Sequence, residues 1–348
     1  MRMDLGRFVR DLLALERRGI DIILVSSGAV AVGMTAVGDE ERPESLSRLQ
    51  ALAAIGQTRL MGRYQEAMGA VGLKCAQVLL THEALATRSH FLNIRDTLRE
   101  LIASGWIPIV NENDTVATEE LRFGDNDRLA AALGTVVDAD LVILLSDVDA
   151  LYDADPTVHP NAHRVGEISL DDPLLDSVSS ESSSGVGTGG MSSKVAAARL
   201  SCDNGIGLIV ANGDVQGILQ AVVDEEDVGT YFVPRPEKQG SRRQWIGSLS
   251  KVCGRVEVDR GAEKALRGEG SSLLAVGITR VEGKFRRGDT VSIVNESGQE
   301  IGRGLIRYDN ETLGEIRGLS THAASKRLRS DVTEPVVHRN DLSVTAFN

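Results

Sequence analysis

Short apolar runs alternate with longer amphipathic stretches through the first two thirds of the chain. Over residues 3–18, Leu5, Phe8, Val9, Leu12, Leu13 and Leu15 sit among charges at helical spacing, and Gly19 closes that helix before an apolar run at 20–25. Residues 46–70 and 83–103 also read as helices, as do residues from about 127 to 137, where Leu129, Leu133, Val136 and Val137 carry the pattern. Between them lie apolar runs at 75–80, 106–110, 141–145 and 206–210, each predicting a strand. The 141–145 run has no polar break, which suits a strand buried on both faces. The alternation predicts an α/β unit: a mostly parallel sheet with helices on both faces. In such a sheet the carboxyl ends of the strands share one rim, where ligands bind. Here the five runs end in Ser26-Ser27-Gly28, Thr81-His82-Glu83, Asn111-Glu112-Asn113-Asp114, Ser146-Asp147 and Asn212-Gly213-Asp214. Turn chemistry accounts for some of these polar tails. Five out of five favours a site.

From residue 234 the pattern changes. Pro234-Arg235-Pro236 and the polar stretch to Arg243 read as a linker, and beyond it short alternating runs at 255–258, 271–276, 290–294 and 302–306 are separated by glycines. The expected organisation is an α/β domain over residues 1–235, a linker over 236–249 and a small, barrel-like β-rich domain over 250–348. Charge divides the same way. Residues 1–252 hold 23 Lys and Arg against 36 Asp and Glu, while residues 253–348 hold 15 against 14.

The overall net charge of −12 argues against a protein that coats nucleic acid. Cys75, Cys202 and Cys253 are odd in number and widely spaced, which points to reduced core residues and a cytoplasmic setting. No apolar run approaches the roughly 20 residues of a membrane helix.

Two segments hold candidate chemistry. In residues 111–127 six of seventeen side chains are acidic and three are Asn, more than the N-cap of the following helix needs. A solvated acidic loop is the plain alternative. Residues 177–194 are rich in Ser and Gly and run into a helix expected at 195–200. They read either as a flexible linker or as an anion cradle, with Gly187, Gly189 and Gly190 converging backbone N–H groups, a helix N-terminus behind them and Lys194 as a point charge. The Walker A pattern is not matched. A phosphate cradle beside an acidic rim points to a nucleotide with Mg²⁺ and a second ligand carrying an amine. Phosphoryl transfer fits, because its catalysis is largely positioning and charge neutralisation.

Several stretches then recur together as in one family: Ser26-Ser27-Gly28-Ala29, Phe91-Leu92-Asn93-Ile94-Arg95-Asp96-Thr97, Asn111-Glu112-Asn113-Asp114, Gly124-Asp125-Asn126-Asp127 and Gly187-Thr188-Gly189-Gly190-Met191-Ser192-Ser193-Lys194. A weaker glycine-rich stretch at 268–274 joins them. Together they resemble the glutamate 5-kinase family, an amino-acid-kinase fold joined to a C-terminal PUA domain. The resemblance implies ATP- and Mg²⁺-dependent phosphorylation of the side-chain carboxylate of L-glutamate, the first step towards proline. It implies that Ser27, Asp114 and Asn126 hold glutamate, that Ser146, Asp147 and Thr188, Gly189, Gly190, Met191, Ser192, Ser193 and Lys194 hold ATP, that Lys194 neutralises the transferred phosphoryl and that Asp127 orients the lysines. Homo-oligomers and feedback inhibition by proline are further implications.

The family opens with a strand and a Lys-x-Gly-[Ser/Thr] loop, and the first lysine here is Lys74. The sequence is therefore expected to be a form lacking that strand and half of the phosphate clamp. Other readings are a kinase for a carbamate, aspartate or acetylglutamate, and an RNA-binding or regulatory protein acting through the tail. The PUA-like tail disfavours the first. The tail's near-neutral charge and its three aromatics, Phe285, Tyr308 and Phe347, disfavour the second.

Overall fold

In the computed structural model, which describes residues 4–116, 126–154, 156, 158–159, 161–181, 190–236, 241–268, 270–328 and 335–344, the chain divides into two units. One comprises Met1–Leu85 and Ser89–Lys238, the other Ala86–Arg88 and Gln239–Asn348. The first helix, α1 (Leu5–Glu16), begins where the Asp4 carboxylate accepts from the N–H groups of Gly6 and Arg7. This N-cap satisfies donors that the first turn would otherwise leave open. Its apolar stripe buries Phe8, Val9, Leu12 and Leu15.

The unit continues through β1 (Leu24–Val25), α2 (Ala29–Val37), α3 (Leu46–Gly69), β2 (Cys75–Leu80), α4 (His82–Ala86), α5 (Arg88–Ala103), β3 (Ile107–Glu112), α6 (Asn126–Val137) and β4 (Leu141–Ser146). It then adds β5 (Leu151–Tyr152), β6 (Arg164–Val165), β7 (Glu167–Ser169), α7 (Leu174–Glu181), α8 (Met191–Asp203), β8 (Gly207–Asn212), α9 (Ile218–Val223) and β9 (Thr230–Val233). One sheet has the order β1-β3-β2, all parallel, and another the order β4-β8-β9-β7, in which only β8 and β9 run antiparallel. β5 and β6 form a small antiparallel pair. The mostly parallel α/β reading therefore holds.

β8 shows why helices flank both faces. Ile209 and Ala211 pack with Phe8, Val9, Leu12, Ile218 and Leu219, while Leu208 and Val210 pack with Ala131, Val195, Ala198 and Cys202. Each large apolar side chain so buried contributes roughly 1.5–3 kcal/mol. α2 and α3 meet backbone to backbone: a Cβ on Gly33 would stand 2.0 Å from the Leu52 carbonyl oxygen, and one on Gly56 1.8 Å from that of Ala29. No side chain fits there, so α3 is drawn tight against the start of α2.

Several sequence-based expectations need correction. Only Leu24 and Val25 of the 20–25 run are paired, with β3. The 83–103 helix is two helices, separated at Thr87. β3 runs on through Asn111 and Glu112, so the acidic stretch begins inside a strand. β4 is not buried on both faces: Val142, Leu144 and Ser146 are buried, whereas Leu141, Ile143 and Leu145 are only half-buried, because β4 pairs with β8 alone among the described residues. α7 already covers residues to Glu181 within the supposed Ser/Gly linker, and α8 begins at Met191, placing Lys194 inside a helix. Cys75 and Cys202 are buried, and burial pushes the Cys202 thiol up to about 12, but Cys253 is only half-buried.

In the second unit α10 (Ser241–Gln244) runs into a wider helical turn, Trp245–Leu249, that buries Trp245 and Ile246. Then follow β10 (Val252–Val258), α11 (Arg260–Gly268), β11 (Ile278–Gly283), β12 (Thr290–Val294), β13 (Glu300–Leu305), α12 (Asn310–Ile316), α13 (Thr321–Leu328) and β14 (Leu342–Val344). The sheet order is β11-β10-β12-β13-β14, with β10 and β12 parallel and the other pairs antiparallel. Val256, Val258, Val291, Ile293 and Ile301 fill its core with Leu313 and Ile316 of α12. The expected strand at 271–276 is instead a bridge from Leu273 to Val337 and a tight turn at Ala275–Gly277. Among the described residues, no helix is long and apolar enough to cross a membrane.

Candidate active site

The polar tails of β1 and β3 meet the first residue of α6. The Ser26 N–H donates to the Val110 carbonyl at 2.8 Å, continuing the ladder past β1, and the buried Ser26 hydroxyl donates to Tyr64 Oη of α3 at 3.1 Å. Ser27 follows, exposed, with Gly28 at φ 94° starting α2. Asn126 donates through Nδ2 to the Ser26 carbonyl at 2.7 Å and to Asn111 Oδ1 at 3.3 Å. Asn111 in turn donates to Gln57 Oε1 at 2.8 Å. Among the described residues, Asn126 Oδ1 is left as an acceptor.

Glu112 is 5% exposed and its Oε1 has no hydrogen-bond partner. Burial, and then the charge of Asp114, push its carboxyl up to about 7. Asp114 is half-buried, and burial raises its carboxyl too, outweighing its own backbone N–H and the charge of Arg42. Two desolvated carboxyls at one place favour a cation between or beside them. Because the folded state raises the Glu112 value, the stability its protonation contributes is present below the ordinary carboxylate range and is lost as pH climbs through about 7. Glu112→Gln removes that loss. Thermal melts from pH 5.5 to 8.5 should therefore show the variant gaining on the parent by about 2 kcal/mol, most of it below about pH 7. A gap that does not change with pH would show that Glu112 titrates as an ordinary surface carboxyl.

A second cluster adjoins the first through the peptide bond between Asn126 and Asp127. Asp127 Oδ2 accepts from Lys194 Nζ at 3.0 Å and from Ser193 Oγ at 3.0 Å. The Lys194 side chain is 7% exposed and that of Asp127 22%. α6 and α8 pack together, which brings these residues, 67 positions apart, into contact. Gly190 precedes α8 with extended backbone, and among the described residues no side chain caps the helix, so its first N–H groups are candidate anion donors. At the end of β4, Ser146 Oγ donates to Asp147 Oδ1 at 3.1 Å. Asp147 is exposed, and its own backbone N–H, the Ser146 hydroxyl and the charge of Lys194 hold its carboxyl below the usual range.

Of the residues expected at the site, Asn126, Asp127, Ser193 and Lys194 are joined by direct bonds, and Ser146 joins Asp147. Gly190, Met191 and Ser192 open α8 beside them. Ser27 and Asp114 lie at the ends of paired strands β1 and β3 without a direct bond to Asn126. Thr188 and Gly189, with Gly187 and residues 117–125, lie outside the described residues. Gln57 and Tyr64 were not anticipated. Nothing in the helical spacing of α3 separates them from ordinary surface residues, and the one signal is Gly56 beside Gln57.

Residues 2–212 match the amino acid kinase family and residues 254–326 the PUA domain. A glutamate 5-kinase of Pseudomonas entomophila (strain L48) is 41% identical over 335 residues, covering 96% of this chain and 90% of that one. The glutamate 5-kinase of Chromohalobacter salexigens is 41% identical over 340 residues, with 98% and 90% covered, and that of Methylococcus capsulatus 41% over 341, with 97% and 90%. With such identity along nearly all of its length, the chain belongs to the glutamate 5-kinase family.

Proposed function

We propose that this chain transfers the terminal phosphoryl group of ATP to the side-chain carboxylate of L-glutamate, giving L-glutamyl 5-phosphate and ADP in the first step towards proline. Asp114 and Asn126 Oδ1 take the substrate's ammonium, with Ser27 at the same rim. The first turn of α8, from Gly190 through Met191, Ser192 and Ser193, takes the phosphates together with Thr188 and Gly189, and Ser146 and Asp147 complete the nucleotide site. Lys194 neutralises charge on the phosphoryl group in flight, and Asp127 aims the lysine. A carboxylate oxygen of glutamate forms the new bond to phosphorus as the bond to the ADP oxygen breaks. The acceptor has a pKa of about 4 and is already ionised, so no general base is required.

The family uses ATP with a divalent metal. Magnesium is held mainly by phosphate oxygens and water, with one or two carboxylates. Asp147, exposed and kept ionised, is a donor of that type. When bound, the metal neutralises charge on the phosphates.

The observation that carries this reading is that Asn126 and Asp127 are neighbours locked in opposite directions. One is bonded to Ser26 and Asn111, the other to Lys194 and Ser193. That arrangement supports an amine site and a phosphate site on adjoining residues. The test is ADP release, with hydroxylamine trapping of the acyl phosphate, using L-glutamate, L-aspartate, carbamate or N-acetylglutamate. Glutamate should be the acceptor, and N-acetylglutamate, which keeps the carboxylate but loses the charged amine, should fail. Equal turnover of those two would overturn the amine site.

A further inference from the structure

Three side-chain amides, those of Gln57, Asn111 and Asn126, form a relay from α3 to the start of α6. Its direction is fixed by two backbone groups. The Ser26 carbonyl can only accept, so the Asn126 atom 2.7 Å from it is Nδ2. The Glu112 N–H can only donate, so the Asn111 atom 2.9 Å from it is Oδ1. Asn111 therefore turns its Nδ2 to Gln57 Oε1 at 2.8 Å and takes a second bond on Oδ1 from Asn126 at 3.3 Å. At the far end Gln57 Nε2 is buried with no partner. A buried donor left open costs free energy, so the protein carries this amide at some expense to its stability.

Two features of α3 aim Gln57 at the relay. Gly56 lets α3 close on the Ala29 carbonyl, at a separation no Cβ would allow. Tyr64, two helical turns further on the same face, is bonded to the Ser26 hydroxyl at 3.1 Å. The helix thus touches both the end of β3 and the segment after β1 that present the rim.

We propose that Gln57 is a positioning residue for the amino-acid site: by holding the Asn111 amide in one orientation, it keeps Asn126 turned so that Oδ1 faces the substrate's ammonium. The inference rests on the reading that Asn126 binds glutamate. Without the Gln57 acceptor, Asn111 keeps the Glu112 N–H as its one backbone partner and loses the bond that fixes its far side. Its Oδ1 then holds Asn126 less firmly, leaving Asn126 with the Ser26 carbonyl as its one firm anchor.

The test compares Gln57→Leu, Gln57→Ala and Gln57→Glu, each alone and combined with Asn126→Ala, in steady-state assays of the full chain. Leu and Ala remove the acceptor and should raise the KM for glutamate about tenfold, the scale of one hydrogen bond, with kcat and the KM for ATP within about twofold. Glu keeps an acceptor for Asn111 in either protonation state and should recover most of the loss. Combined with Asn126→Ala, the Gln57 substitutions should add less than about twofold, because the residue they act through is gone. If Asn126→Ala raises the glutamate KM but the Gln57 variants do not, or if the two effects multiply in full, the positioning role is wrong and the substrate site stands. If Asn126→Ala itself leaves the glutamate KM unchanged, the substrate site is misassigned and the inference falls with it. If Gln57→Leu and Gln57→Glu are equally impaired, α3 packing rather than the acceptor is responsible, and the inference is again overturned.

Discussion

Replacing Lys194 with alanine is expected to lower kcat by about 10²- to 10³-fold, the scale of withdrawing a preorganised charge stabiliser, while the KM for glutamate stays within about threefold. The lysine is held 3.0 Å from Asp127 with its side chain 7% exposed, in surroundings where little water competes with it. A charge fixed in this way acts most strongly as negative charge spreads over the phosphoryl oxygens, and it costs no reorganisation at that moment. The substitution also has a structural cost. Taking one partner from a buried ion pair destabilises by roughly 3–5 kcal/mol, so the melting temperature should fall as well. Kinetics are therefore to be measured well below the variant's transition, with the folded fraction checked by far-UV circular dichroism. Lys194→Arg should recover little. The lysine side chain is 7% exposed, and a broad planar guanidinium does not reproduce the point charge of its ammonium against Asp127. Unchanged kcat in a folded Lys194→Ala variant would make the pair with Asp127 a purely structural one.

What the sequence revealed of this arrangement depended on how local each signal was. A lysine after a Gly/Ser run and before a helix is a local pattern, and α8 does begin at Met191 with Lys194 in its first turn. Its partner Asp127 is 67 residues away, and only the packing of α6 on α8 brings the two together. Asn111 and Glu112 read as loop because they are polar, yet β2 pairs with them through Leu79 and Leu80, and the strand continues. Polarity cannot mark a strand end when the strand itself delivers polar groups to a site. Burial on two faces was read into β4 from an unbroken apolar run, although Leu141, Ile143 and Leu145 are half-covered. Hydrophobicity records what a residue tolerates, and not how many neighbours it acquires. β7 is three residues long and β9 four, too short for periodicity to register. In the second unit α11 gives the core just Leu266 as a buried side chain, so its charged sequence hid a helix among strands. Gln57 left only its neighbour Gly56 as a signal, because its role comes from a contact between α3 and β3.

Asp114→Ala is expected to raise the KM for glutamate by about 10²-fold or more, the scale of losing one side of a desolvated charge pair, with the KM for ATP within about threefold. Asp114 sits just past β3, half-buried, with its carboxyl raised by burial. A carboxylate whose ionisation is opposed in the free protein gains the more from an arriving ammonium, which restores the partner that water no longer supplies. The same fact separates binding from folding. Since the folded state raises the Asp114 value, the stability linked to its protonation is present at low pH and is lost as pH rises through the folded value. Asp114→Asn should therefore melt no lower than the parent at pH 8, and it should keep an acceptor oxygen while losing the charge. Its glutamate KM should fall between those of the parent and the alanine variant. The pairing of impaired glutamate binding with undiminished stability is what an amine-binding carboxylate requires. If Asp114→Asn instead unfolds early at pH 8, or if the two substrates' KM values rise together, Asp114 supports the loop rather than the ligand, and the ammonium must be held by Asn126 and Glu112 without it.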